Sequence, residues 1–198
     1  MKKILYGVSG IGNGHANRQL PIITELAKKH RIVILAYDDS YATFERNFAD
    51  NKNISLVRIA VPFIVGTPTG LDFGLTASHP ANQNTDFLKV EWEAMQKVSE
   101  LIGVPDLAIT DYEPVCAQYA YAHNVPLVTI DQQSKFLFAD LPKEIHGFTF
   151  EDEVQRLHMF FPEASARIAC SFFRTKPRVG ADLVNFFPAP IKPSIRSI

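Results

Sequence analysis

Apolar residues along this chain form short dense runs, separated by segments in which they recur every three or four positions. The first run, Lys3 to Val8, reads KILYGV, and the second, Arg31 to Tyr37, reads RIVILAY. Runs so continuously apolar and rich in branched side chains predict parallel strands buried on both faces. Between them Leu20, Ile23 and Ala27 share one face of a helix, with Ile22 and Leu26 beside it. Asp38-Asp39-Ser40 ends the second run, and Ser40 is suited to cap a short helix through Phe48. A third strand is predicted from Ile54 to Ile59.

Ala60 to Gln83 breaks the rhythm with Pro62, Gly66, Pro68, Gly70, Gly74 and Pro80, and predicts a long irregular loop. Asn84 opens the strongest helical pattern, in which Phe87, Val90, Ala94, Val98 and Leu101 recur until Gly103 and Pro105 stop it. A fourth strand follows at Leu107 to Thr110. The next helix runs from Pro114 to about His123 and is ended by Asn124 and Pro126, and a fifth strand covers Leu127 to Ile130. Beyond these the pattern predicts a helix from Glu151 and strands at Ile168 to Phe173 and Leu183 to Phe187. Strands alternating with helices predict an α/β, Rossmann-like, doubly wound and mostly parallel sheet. The tail FFPAPIKPSIRSI holds three prolines in a short span and reads as a linker or strap.

Composition narrows the classes. With 198 residues and 46% hydrophobic content, the chain can bury one full core. A net charge of −1 gives no global attraction to nucleic acid or anionic lipid. No run approaches the ~20 apolar residues that span a bilayer. Cys116 and Cys170 have no metal-ligand spacing and suggest no disulfide framework. A cytoplasmic protein without a metal is the expectation.

The chemistry concentrates after the first strand, in GVSGIGNGHANR at 7–18. In a doubly wound sheet, ligands gather where strands end at their carboxyl edge. Gly10, Gly12 and Gly14 leave backbone N–H groups open near a helix start, which favours a diphosphate. The bland alternative is a tight turn with no ligand. A dinucleotide fingerprint needs G-x-G-x-x-G, yet its third place falls on His15 from Gly10 or on Asn17 from Gly12, although Asp38 stands where a ribose-binding acid would lie. NAD or flavin binding, as in an oxidoreductase, is therefore the alternative. His15 is a candidate base, since a neutral imidazole accepts a proton near pH 7; otherwise it is a polar turn residue. Pro21 leaves two options: a helix starting near Leu20 with His15 in the loop, or an earlier helix distorted at Pro21.

Four stretches together resemble glycosyltransferases of the two-domain GT-B architecture, especially prokaryotic enzymes related to the N-acetylglucosaminyltransferase of peptidoglycan synthesis. They are GIGNGHANR, PDLAITDYEP at 105–114, VPLVTIDQQS at 125–134 and VNFFPAPIKPSIR at 184–196. The resemblance implies an acceptor-side domain over residues 1–183 and a linker at 184–198 leading to a C-terminal half, or a partner chain, that binds the donor. It implies transfer from a nucleoside-diphosphate sugar, as co-substrate rather than cofactor, to a sugar or lipid-linked acceptor. His15 would be the base, and Gly12, Asn13 and Gly14, with Gly10, would face the diphosphate.

Asp111 either orients His15 or caps the following helix. Glu113, Asp131, Gln132 and Gln133 share its strand edge and are candidates to bind a polyhydroxylated acceptor, with a solvated turn as the alternative for Asp131 and the glutamines. Arg18 meets phosphate or a carboxylate. The apolar loop 61–75 covers the acceptor, touches a membrane surface, or packs on the domain's own core. Arg167, Arg174, Lys176 and Arg178 read as a solvated face, with no nucleic-acid site. A noncatalytic sugar- or nucleotide-binding module is a further alternative for the chain by itself.

Overall fold

The computed structural model describes residues 1–171 and 176–178, together with the backbone of a strand at 184–188. The two apolar runs form β1 (Lys3–Val8) and β2 (Arg31–Ala36), buried from their second residue onward. Alternation along them splits the interior in two. Ile4, Tyr6, Val8, Ile32 and Ile34 meet α1 (Asn13–Ala27) and α2 (Asp38–Phe48) on one face of the sheet. Leu5, Val33 and Leu35 point to the opposite cluster. Each aliphatic side chain buried this way contributes about 1.5–3 kcal/mol.

The helix α1 begins early, so His15 lies in its first turn and Pro21 in its interior. Pro21 removes the hydrogen bond to the Asn17 carbonyl, but Asn17 is exposed and that carbonyl can turn to water. Ser40 does not cap α2. The helix starts at Asp38, and the buried Ser40 hydroxyl instead donates to the Ser9 carbonyl at 2.5 Å, tying α2 to the loop after β1.

After β3 (Ile54–Arg58), the stretch expected to be irregular holds a hairpin, β4 (Val65–Thr67) with β5 (Gly70–Asp72), then the short α3 (Phe73–Ser78) and a 3-10 turn at Pro80–Asn82. The long helix α4 spans Phe87–Ile102 and is capped by Asp86, which accepts from the Lys89 amide at 3.1 Å. β6 (Leu107–Asp111), α5 (Pro114–Ala122), β7 (Leu127–Asp131) and the short α6 (Lys135–Phe138) follow. A small hairpin, β8 (Glu144–Ile145) with β9 (Phe148–Thr149), leads into α7 (Glu151–Phe160) and β10 (Ala166–Ser171). The last strand, β11, is Val184–Pro188. It pairs with β10, so the first residues of the expected linker belong to the sheet. Residues 189–198, Phe173 and Arg174 lie outside the described residues.

The main sheet has seven strands in the order β11-β10-β7-β6-β1-β2-β3, every pair parallel. The chain winds from β1 outward to β3, then returns to place β6 on the other side of β1. That reversal opens a crevice at the carboxyl ends of β1 and β6, the usual ligand position of such folds. Val8 and Asp111 are register partners there. No helix among the described residues is long and apolar enough to cross a membrane.

Candidate active site

His15 and Arg18 are three residues apart and Gln19 four from His15, so α1 turns all three toward the end of β6. Their common target is Asp111, which is fully buried. Arg18 grips it with one edge of the guanidinium: Nη2 lies 2.6 Å from Oδ1 and 2.7 Å from Oδ2, and Nε donates to Oδ2 at 3.2 Å. Gln19 Nε2 donates to Oδ2 at 2.7 Å and to the Ile130 carbonyl at 2.9 Å, while its oxygen accepts from the Tyr6 hydroxyl at 2.6 Å. Burial pushes the Tyr6 phenol far up, so it remains a neutral donor.

His15 Nδ1 lies 3.0 Å from Asp111 Oδ1 and also 3.0 Å from Arg18 Nη2. The two contacts demand opposite tautomers. A carboxylate only accepts, so the Asp111 bond requires the proton on Nδ1 and leaves the Nε2 lone pair free. Arg18 already has two carboxylate oxygens for Nη2, whereas Nδ1 has no other acceptor in reach among the described residues, which favours the Asp111 pairing. The imidazole side chain is 12% exposed. It therefore combines a fixed inner nitrogen with a small exposed surface.

The α1 start has no side-chain cap and no acidic residue in its first turn. Its amides and dipole favour an anion. The glycines before it have different reasons. A Cβ on Gly10 would lie 2.4 Å from the Tyr37 carbonyl oxygen, and Gly12 at the cap adopts φ +69°, whereas Gly14 is surrounded by open space. Asn13 is exposed at the same rim, and its side-chain oxygen accepts from the Thr43 hydroxyl at 3.3 Å. Asp38, the ribose candidate of the dinucleotide reading, is exposed at the start of α2.

Glu113 and Asp131 are not available to an acceptor. Glu113 is fully buried, and its two oxygens accept from the Val115 and Cys116 amides at 2.7 and 2.8 Å, so Glu113 rather than Asp111 caps α5. Burial pushes its carboxyl up to about 8. Asp131 is 2% exposed and accepts from the Ser134 amide and hydroxyl at 2.6 and 2.9 Å; burial pushes it up to about 6. It is neither a free ligand nor a solvated turn residue. Gln132 and Gln133 stay half-buried after β7, the Gln132 amide donating to the Gln133 side chain at 3.2 Å. Arg167 is likewise no part of a solvated face: it is 7% exposed and donates to the Phe161 carbonyl at 2.6 Å.

Tyr112 is a residue that sequence reasoning missed. It sits between Asp111 and Glu113 with φ +55°, a left-handed conformation that non-glycine residues adopt at a cost of about 1–3 kcal/mol and that gathers at functional sites. The bend brings its ring parallel to His15, centroids 6.4 Å apart, and 5.7 Å from Phe161. Its hydroxyl bonds Glu153. Arg156 bonds Glu153 at 3.1 Å and the Ile64 carbonyl at 2.7 Å, which ties the segment before β4 to α7. Together they enclose a cavity of about 240 Å³ bordered by Ser9, Ile11, Tyr37, Phe63, Tyr112 and Phe161. The helical spacing of His15, Arg18 and Gln19 was a readable signal; Tyr112 and Arg156 had none, because they meet only across the fold.

A parallel α/β domain with a histidine–carboxylate pair at its topological reversal belongs to the Rossmann-like class. The model for glycosyl transferase family 1 matches residues 2–198, and the chain belongs to that family. No curated protein matches it. Among solved structures it is similar to a UDP-glucose:anthocyanidin 3-O-glucosyltransferase in complex with UDP, at 12% identity and TM-score 0.58 over 97% of this chain and 53% of that one. It is similar to UGT89C1 of Arabidopsis thaliana complexed with UDP, at 15% identity and TM-score 0.55 over 97% and 49%. MurG of Acinetobacter baumannii matches at 14% identity and TM-score 0.51 over 98% and 47%. The shared property is the fold. The chain spans about half the length of these structures.

Proposed function

We propose that this chain is the acceptor-side domain of an inverting glycosyltransferase that uses a nucleoside-diphosphate sugar, with His15 as the base. The observation that carries this reading is the His15–Asp111 contact of 3.0 Å at the carboxyl edge of β6, with Asp111 itself fixed by Arg18. The acceptor hydroxyl attacks the anomeric carbon. As the new carbon–oxygen bond forms, the hydroxyl proton passes to His15 Nε2, and the bond to the diphosphate breaks with its electron pair leaving on phosphate oxygen. Asp111 stabilises the imidazolium through Nδ1. The open amides at Asn13 and Gly14 face the charge that develops on the leaving group.

The family match and the GT-B-like neighbours support a donor-binding half beyond this domain, in the same chain or a partner, that completes the cleft. Cys116 and Cys170 are free and buried, which suits a reducing, cytoplasmic setting. The test is His15→Ala in the protein joined to its donor-binding half. Loss of a general base lowers turnover by about 10²–10⁴-fold while leaving the KM for the donor near its original value. Unchanged turnover would remove the base; donor binding without any transfer in the unaltered protein would favour a noncatalytic module.

A further inference from the structure

Asp111 at the end of β6 and Glu113 at the cap of α5 are separated by one residue. The chain therefore passes from strand to helix in a single step, and Tyr112 makes it at φ +55°. Glycine or asparagine would take that conformation with less strain. The turn by itself does not call for a tyrosine, so the reason for one lies in what its side chain touches.

Each part of that side chain has a partner. The hydroxyl bonds Glu153 on α7, and burial pushes the phenol well up, so it serves as a neutral donor. Glu153 is held in turn by Arg156, whose Nη1 donates to it at 3.1 Å. Phe161, buried at the end of α7, packs on the ring with centroids 5.7 Å apart. His15 lies within 12° of parallel to the same ring, centroids 6.4 Å apart, inside the range of attractive ring pairs. Tyr112 thus joins α7 to the imidazole of α1.

The contact bears on the weak point of the base. His15 Nδ1 stands 3.0 Å from both Asp111 Oδ1 and Arg18 Nη2, and only the first pairing leaves Nε2 free to accept a proton. The second torsion of a histidine side chain has a broad minimum, so small turns of the ring cost little. Such a turn lifts the ring edges out of their plane, and a parallel aromatic wall opposes it. We propose that Tyr112 is a positioning residue for the reaction: its ring, fastened by Glu153 and braced by Phe161, holds the His15 imidazole in the orientation that pairs Nδ1 with Asp111. This rests on the reading of His15 as the base and adds the group that fixes its direction.

The test follows the two ring nitrogens of His15 by nitrogen-15 NMR in the histidine-labelled protein, at about pH 8.5, above the ordinary range of imidazole titration. Their signals are assigned by their loss in His15→Gln. In the unaltered protein Nδ1 is expected to carry the proton and Nε2 to be bare. Tyr112→Gly supplies the left-handed turn without strain and removes the ring. Its two signals are expected to move toward a common averaged value, as a ring exchanging between tautomers gives. Tyr112→Phe keeps the ring and is expected to keep the unaltered pattern. The other five histidines report whether a variant is folded; should Tyr112→Gly unfold, Tyr112→Leu is read in its place with the same expectation. Unmoved His15 signals in the ringless variant, or a displacement in Tyr112→Phe as large as that in Tyr112→Gly, would overturn the proposal. These spectra need no transfer reaction. Unmoved signals sink the positioning role and leave the base standing, whereas a His15→Ala enzyme with unchanged turnover sinks the base and leaves the ring contact in place.

Discussion

Asp111 and Glu113 leave β6 two residues apart and go to opposite faces of the sheet. On the α1 face Asp111 is surrounded by donors: a guanidinium, an amide and an imidazole. On the α5 face Glu113 has only two backbone amides and the wall of Cys116 around it. Equal burial thus yields different electrostatics. One carboxylate is compensated by a full opposite charge and can support an imidazolium; the other is held up to about 8 and serves structure. Burial alone therefore does not mark a functional acid; the partners do.

Breaking the α1 face should cost most. Arg18→Met leaves Asp111 buried without its counter-charge, and a loss of about 3–5 kcal/mol is expected in urea unfolding. A loss below 1 kcal/mol would mean that Asp111 is not held as a charge. On the α5 face packing dominates: a Cβ on Gly7 would lie 2.4 Å from Cys116 Cβ and 2.6 Å from Glu113 Oε2. Gly7→Ala should destabilise by about 1–3 kcal/mol through overpacking, read from the same midpoints.

Glu113 also makes stability depend on pH. The folded chain retains the Glu113 proton from its ordinary value near 4.5 up to about 8, while the unfolded chain releases it. The unfolded state then binds fewer protons, so this contribution is full below about pH 4.5 and declines as pH rises to about 8. Glu113→Gln should flatten the fall in unfolding free energy between pH 5 and pH 8; an unaltered slope would show that Glu113 ionises freely. Smallest, and opposite in sign, is Gly14→Ala. The position is helical with nothing within 4 Å of the added Cβ, so stability should rise by up to about 0.5–1 kcal/mol in thermal melts. A fall instead would place a neighbour over the α1 start.

The strands were readable because both faces of a central parallel strand are covered, which leaves an uninterrupted apolar signature. The hairpin within 60–83 was not, since three-residue strands carry no period. It forms against α7, where the Leu71 amide donates to Gln155 at 2.8 Å. The start of α4 shifted for a simpler reason: Asn84, Thr85 and Asp86 are all capping residue types, and Asp86 is the one used, whereas α2 starts at Asp38 with no side-chain cap.

The chain's own pattern determined a doubly wound parallel sheet, the glycine loop at its rim and a histidine followed at helical spacing by an arginine. Those are properties of neighbours in sequence, encoded by continuous apolar runs for the strands and a spacing of 3.6 for the helices. Tertiary structure alone decided that Asp111 turns to His15 while Glu113 and Asp131 turn inward, and that Tyr112, Phe161 and the Ile64 segment enclose one space. A side chain's charge state and partners depend on groups far away in the chain, such as Arg18 93 residues from Asp111, and only the packed sheet brings them within reach.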